Sequence, residues 1–122
     1  MRVVEKVWGS EHIYVNNDKY CGKVLNLYRS AHCSMHYHKK KLETFLVIEG
    51  RVLLELEGVF AEILPFQSID IPVGAKHRFT GLEKSKIVEF STHHEDEDSY
   101  RTNASGFCES QQFQELLEKY GR

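Results

Sequence analysis

The histidines and one glutamate of this chain are spaced as a set that could hold a metal. Seven histidines occur in 122 residues, among them His36 and His38, two apart, and His77 far along the chain. In an extended segment, positions two apart face the same way, so the imidazoles of His36 and His38 would point together. Glu43 follows five residues later, as if across a tight bend at Lys39–Leu42 onto the next strand. His77 closes Pro72-Val73-Gly74-Ala75-Lys76-His77, where Pro72 and Gly74 shape a turn that delivers it. Three imidazoles and a carboxylate facing one cavity suit one divalent transition metal, Zn, Mn, Fe, Ni or Co, with positions left open for water or substrate.

Short strands must carry these ligands. Val24–Tyr28, Thr44–Ile48, Val52–Leu56, Val59–Leu64, Ser68–Ile71, His77–Phe79 and Lys86–Ser91 are short and rich in β-branched or aromatic residues. Gly50-Arg51 and Glu57-Gly58 stand where turns would join neighbours, and Pro65 and Pro72 interrupt the pattern between strands. Val52, Leu54 and Leu56 alternate with Glu55 and Glu57, the period of a half-buried strand. Many short strands in a small domain predict an all-β barrel or double-sheet jelly roll, over about 1–101. The end of the chain differs. Ser110 could cap a helix over about 110–120, in which Phe113, Leu116, Leu117 and Tyr120 fall on one face before Gly121. That helix would dock on the sheet exterior or on a partner subunit.

Composition removes several classes. A length of 122 residues is room for one domain, and 41% hydrophobic with 28% charged residues argues against disorder. No apolar run approaches a membrane span, and the first residues lack the apolar core of a signal peptide, so a cytoplasmic protein is expected. The net charge is −2 and the cations are scattered, apart from Lys39-Lys40-Lys41, so no nucleic-acid stripe is visible. Cys21, Cys33 and Cys108 cannot all pair within one chain and read as reduced thiols.

His36-Tyr37-His38, Glu43 and Gly50 match the first cupin motif, and Pro72–His77 matches the second. The resemblance implies a cupin-type jelly-roll barrel with the metal inside its wider mouth. Ser30 stands where the first motif usually opens with Gly, Phe66 where the second does, and Gly81 where the second usually ends in Asn. Lys6-Val7-Trp8-Gly9, Lys23, His77-Arg78, Glu89 and the acidic stretch ending in Arg101 narrow the match. They resemble the type II phosphomannose isomerase cupins, which more often carry Pro where Val7 stands and Gln in place of His36.

That resemblance implies aldose–ketose isomerisation of the mannose 6-phosphate/fructose 6-phosphate type, on a phosphorylated or nucleotide-linked sugar. The alternatives are a non-catalytic sugar-binding cupin and an iron-dependent oxygenase. An isomerase needs a base to move the C1/C2 proton and cations for the phosphate. Glu89, in an otherwise apolar strand, is the candidate base if it faces inward, and a surface carboxylate if the register is shifted by one. Arg101 is grouped with it as catalytic, and Lys23, Arg78 and Tyr28 as substrate-binding. Alternation points Arg78 away from His77 unless a bulge intervenes. Lys39–Lys41 reads as a solvated turn or an anion-attracting mouth, and Tyr37 as facing away from the ligands beside it. Trp8 reads as packing the barrel's edge, and His93-His94 with Glu95–Asp98 as a solvated loop or a second metal site. A homodimer is expected, since small cupins pair.

Overall fold

The computed structural model describes residues 1–121. All strand pairs are antiparallel, and they form two sheets. The first holds, in spatial order, β1 (Arg2–Lys6), β2 (Gly9–Asn16), β3 (Cys21–Leu27), β11 (Ser85–Ser91), β6 (Glu43–Glu49) and β9 (Ser68–Ile71). The second runs β12 (Tyr100–Arg101), β5 (His36–Tyr37), β10 (His77–Gly81), β4 (Ala31–His32) and β13 (Gly106–Phe107). On the other edge of β10 lie β7 (Val52–Leu56) and then β8 (Val59–Ile63). This is the jelly-roll barrel that the strand pattern predicts.

Three neighbouring strands of the first sheet share one inward phase. Cys21, Lys23, Leu25 and Leu27 of β3 are buried, as are Ser85, Ile87 and Glu89 of β11 and Glu43, Phe45 and Val47 of β6. The register sets Ile87 opposite Leu25 and Val47, and Glu89 opposite Lys23 and Phe45. The barrel is therefore divided along its axis. One end is filled by Leu25, Leu27, Val47, Val52, Leu54 and Ile87, and the other carries Lys23, Glu43 and Glu89. Burial of Ile87, with no exposed surface, fixes the phase that also turns Glu89 inward.

Strand β7 departs from simple alternation, because Val52, Leu53 and Leu54 are all buried. The helix α1 (Ser110–Tyr120) is the reason: its Phe113 and Leu116 pack with Leu53 and Leu82 on the outside of the second sheet. Arg29 lays its guanidinium over the Phe113 ring, 4.7 Å from the centroid. Ser110 is the first helical residue rather than the cap; Glu109 occupies the cap position and makes no side-chain capping bond. Trp8 is buried against Phe79 in an edge-to-face contact, with centroids 5.2 Å apart.

Two turns keep a left-handed backbone where the motif normally supplies Gly. Ser30 has φ +67° and its N–H donates to Gly81 O at 2.8 Å; Phe66 has φ +67° and its N–H donates to Val47 O at 2.6 Å. At the third departure, glycine is required for space, since a Cβ on Gly81 would lie 2.6 Å from Tyr28 O. Phe66 is 80% exposed, so its side chain gains little from burial while its backbone carries the left-handed strain. That strain is about 1–2 kcal/mol for an L-residue, against roughly 0.5–1 kcal/mol of extra chain entropy for glycine. Phe66→Gly is expected to raise stability by about 0.5 kcal/mol in urea unfolding; a clear loss would show that the exposed ring contributes contacts that outweigh the strain.

Candidate metal centre

Strands β5 and β10 bring the candidate ligands together, with His36 directly opposite His77 in the ladder. His38 lies two residues beyond His36 on the same face, while Tyr37 turns to the other side and stacks on Tyr100 at 5.2 Å. The centroids of His36 and His77 are 4.3 Å apart, and those of His36 and His38 are 5.0 Å apart. Their ligand nitrogens lie within 4.8 Å of one another.

Each ring is held the same way. Nδ1 of His36 meets Ser34 O at 2.7 Å, Nδ1 of His38 meets Asp98 O at 2.8 Å, and Nδ1 of His77 meets Ala75 O at 2.9 Å. A carbonyl oxygen only accepts, so each Nδ1 carries the hydrogen and donates it, and each Nε2 presents a lone pair. Glu43 fills the same space, with Oε1 3.2 Å from His77 Nε2 and Oε2 3.4 Å from His38 Nε2. His77 Nε2 and Glu43 Oε2 are buried without a hydrogen bond, the latter despite Lys41 Nζ at 3.1 Å. Converging lone pairs with no hydrogen among them are what a divalent cation would satisfy, so the residues present fit a transition metal.

The surroundings tune these groups. Burial, then the neighbouring His77, pushes His36 down to about 3. His38 is lowered by burial and by Lys41. Burial alone would raise Glu43, but the charge of Lys41 beside it outweighs this and holds the carboxyl below its usual range. Lys41 is raised, because Glu89 and Glu43 more than offset its burial. Its Nζ lies 3.1 Å from Glu89 Oε2 and 3.1 Å from His94 Nδ1, and His94 Nε2 meets Asp96 Oδ1 at 3.0 Å.

A cavity of about 460 Å³ opens beside the ligands, lined by His36, His38, Glu43, Lys41, Glu89, Lys23, Arg101 and Trp8 among others. His77 is sealed behind it, fully buried. Lys23 is also buried, and it pairs with Glu11 at 3.4 Å. Arg101 is exposed on the cavity wall. Two expected substrate-binding residues lie elsewhere. Arg78 alternates to the outer side of β10, where its Nε donates to Glu55 at 2.6 Å near α1. Tyr28 is exposed on an outer turn and stacks on Phe107 at 6.3 Å. No bulge turns Arg78 inward, because β10 pairs with β7 in unbroken register.

Three residues at or beside the site take places that differ from their sequence readings. Lys41 reads as part of a solvated turn or an anion-attracting mouth, yet it lies two before Glu43 and so shares its side, and it is only 4% exposed. His94 and Asp98 belong to an apparently solvated acidic run, but one contacts Lys41 and the other holds His38. Among the described residues, His93-His94 and the acids form no second metal cluster; His93 bonds Asn17 O instead.

The barrel together with this donor set has the form of a cupin-type jelly roll. No family model matches it. It is 35% identical to the D-lyxose ketol-isomerase of Cohnella laeviribosi, over 69% of this chain and 62% of that protein. It is 30% identical to the D-lyxose/D-mannose isomerase of Thermosediminibacter oceani, over 75% of this chain and 66% of that protein. The chain thus spans a little under two thirds of the length of the curated relatives it matches. In fold it is similar to KdgF from Halomonas sp., with TM-score 0.73, 18% identity, and 80% of this chain and 90% of that one covered.

The histidine environment predicts an acid-sensitive metal-free protein. His36 titrates near 3 when folded, against 6.5 in its ordinary state. Below about pH 6.5 the unfolded chain binds a proton that the folded ring refuses. The stability from this ring is thus complete above that pH and lost as pH falls toward 3. Urea unfolding of chelator-treated protein should show falling stability already between pH 6.5 and 5, above the carboxylate range, and His36→Gln should flatten that slope. Equal slopes in both proteins would refute the account.

Proposed function

We propose that the chain is a metal-dependent aldose–ketose isomerase acting on a neutral sugar of the lyxose or mannose kind. The observation that carries this reading is the juxtaposition, in one sugar-sized cavity, of a three-histidine, one-glutamate donor set with a buried carboxylate–ammonium pair, Glu89 and Lys41. The names of the two similar isomerases support it. His36, His38, Glu43 and His77 would hold the ion. When bound, it would polarise the sugar carbonyl and the adjacent hydroxyl.

The remaining chemistry falls to this chain's own side chains. Glu89 Oε2 accepts from Lys41 Nζ and from Ser91 Oγ at 3.0 Å, which leaves Oε1 without a hydrogen bond among the described residues. That oxygen would take the proton from C2 of the aldose and return it to C1, while the O2 hydroxyl proton passes to O1, so the two sugars differ by no atom. Lys41, held between Glu43 and Glu89, would supply compensating charge as Glu89 cycles between carboxylate and acid. Trp8 and Phe45 offer apolar walls, and Arg101 offers donors to hydroxyls.

Charge pairing favours a neutral sugar over a phosphorylated one. Both buried lysines of the cavity already face carboxylates, Lys23 with Glu11 and Lys41 with Glu43 and Glu89. A buried phosphate there would have to break a pair and leave a carboxylate uncompensated. Among the described residues that line the cavity, the more exposed Arg2, Lys6 and Arg101 remain to meet an anion.

Metal-reconstituted protein incubated in D2O with D-lyxose, D-mannose or mannose 6-phosphate, and followed by proton NMR, tests the proposal. Loss of the C2 proton signal and ketose formation are expected for a neutral sugar, absent in His77→Ala. Glu89→Gln should lower kcat by about 100-fold or more, the usual worth of a general base, with metal content unchanged. Turnover of mannose 6-phosphate alone would overturn the neutral-sugar reading, and no ketose formation by metal-loaded protein from any of the three sugars would overturn the isomerase.

A further inference from the structure

Asp98 ends an acidic run that composition alone assigns to solvent, yet it is 4% exposed. Its carboxylate collects three successive main-chain N–H groups. Oδ1 accepts from Lys39 at 2.9 Å and Lys40 at 3.2 Å, and Oδ2 accepts from Lys40 at 3.2 Å and Lys41 at 3.0 Å. These amides have no main-chain acceptor among the described residues, so Asp98 is what holds the bend between His38 and Glu43. The main-chain oxygen of the same residue accepts Nδ1–H of His38 at 2.8 Å.

The chain beyond Asp98 continues the grip. Arg101 pairs with His36 in the β12–β5 ladder, Thr102 N–H donates to Met35 O at 2.8 Å, and Asn103 Oδ1 accepts Met35 N–H at 2.7 Å. A single strap therefore lies along the segment that carries two of the imidazoles. Within it, Asp98 touches both the ring of one ligand and the bend that delivers the next.

We propose that Asp98 is a positioning residue of the metal centre. Its carbonyl orients His38, and its carboxylate sets the bend that brings Glu43, with Lys41 beside it, to the three imidazoles. This rests on the metal-binding part of the proposed function and not on the isomerisation. The two contacts are separable, because substituting the side chain removes the carboxylate and leaves the main-chain bond to His38. Loss of outer-shell support of this kind weakens metal affinity by about 10–100-fold.

The test titrates Co2+ into the metal-free full chain and reads both affinity and the visible Co2+ absorption bands, which report ligand geometry. Asp98→Ala is expected to bind about 10–100-fold more weakly and with shifted bands, while its circular dichroism stays that of the parent. Asp98→Asn keeps one accepting oxygen and should fall between the two. Glu95→Ala, which removes a neighbouring exposed acid paired with Lys40, should match the parent. Parent-like affinity and bands in Asp98→Asn would overturn the proposal, even if Asp98→Ala failed to fold. Equal weakening by Glu95→Ala would also overturn it, since the effect would then be general charge. A parent protein that takes up no Co2+ would instead remove the metal reading itself, and this proposal with it.

Discussion

Each imidazole of the cluster gives its Nδ1 hydrogen to a main-chain carbonyl, and the rest of the site follows from that constraint. With the tautomer fixed, three Nε2 lone pairs and the Glu43 carboxylate face one another inside the barrel, with His38, His77 and Glu43 buried. Such an arrangement is unfavourable unless positive charge stands among the groups. Lys41 supplies some of it to Glu43, and a divalent ion would supply the remainder. The three carbonyls come from different places: Ser34 and Ala75 each lie two residues before their own ring, whereas Asp98 is 60 residues away in sequence. Two of the rings are thus oriented locally and the third by tertiary contact.

The buried charges are tolerated because they are paired. Lys23 pairs with Glu11, and Lys41 with Glu43 and Glu89, so neither buried lysine of the cavity stands alone. Buried ion pairs of this sort add little net stability, but removing one member leaves an uncompensated charge at a cost of about 3–5 kcal/mol. They occupy one end of the inward faces of β3, β6 and β11, while Leu25, Leu27, Val47 and Ile87 fill the other end and hold the same phase. The apolar half therefore sets the register on which the polar half depends. Phase and function are one decision.

The exterior has a separate role. Helix α1 covers Leu53 and Leu82 on the outside of the second sheet, and Arg78 with Glu55 lines the small space beside it. Arg78, directly after His77, thereby faces Glu55 on the outer side rather than the cavity. Ser30 and Phe66 hold left-handed turns without glycine, because the main-chain bonds on either side require that conformation.

Much of the fold and of the donor set was legible in the amino-acid order, for reasons of period and punctuation. The two-residue spacing of His36 and His38, the turn before His77 and the alternation through Val52, Leu54 and Leu56 are local properties. So is the face of Phe113, Leu116 and Tyr120, and local patterns need no knowledge of what lies across the barrel. The inward phase of Glu89 was decided only by the packing of Ile87 between Leu25 and Val47. Lys41 looked like one of three solvated lysines until Glu43 and Glu89 were placed on either side of it. Asp98 was one acid in a run of acids until the fold brought its carboxylate to the amides of Lys39, Lys40 and Lys41. Sequence determines which groups are available and which way neighbours alternate; the pairing of charges across about 50 residues of chain depends on strand register and loop path, which only the folded barrel fixes.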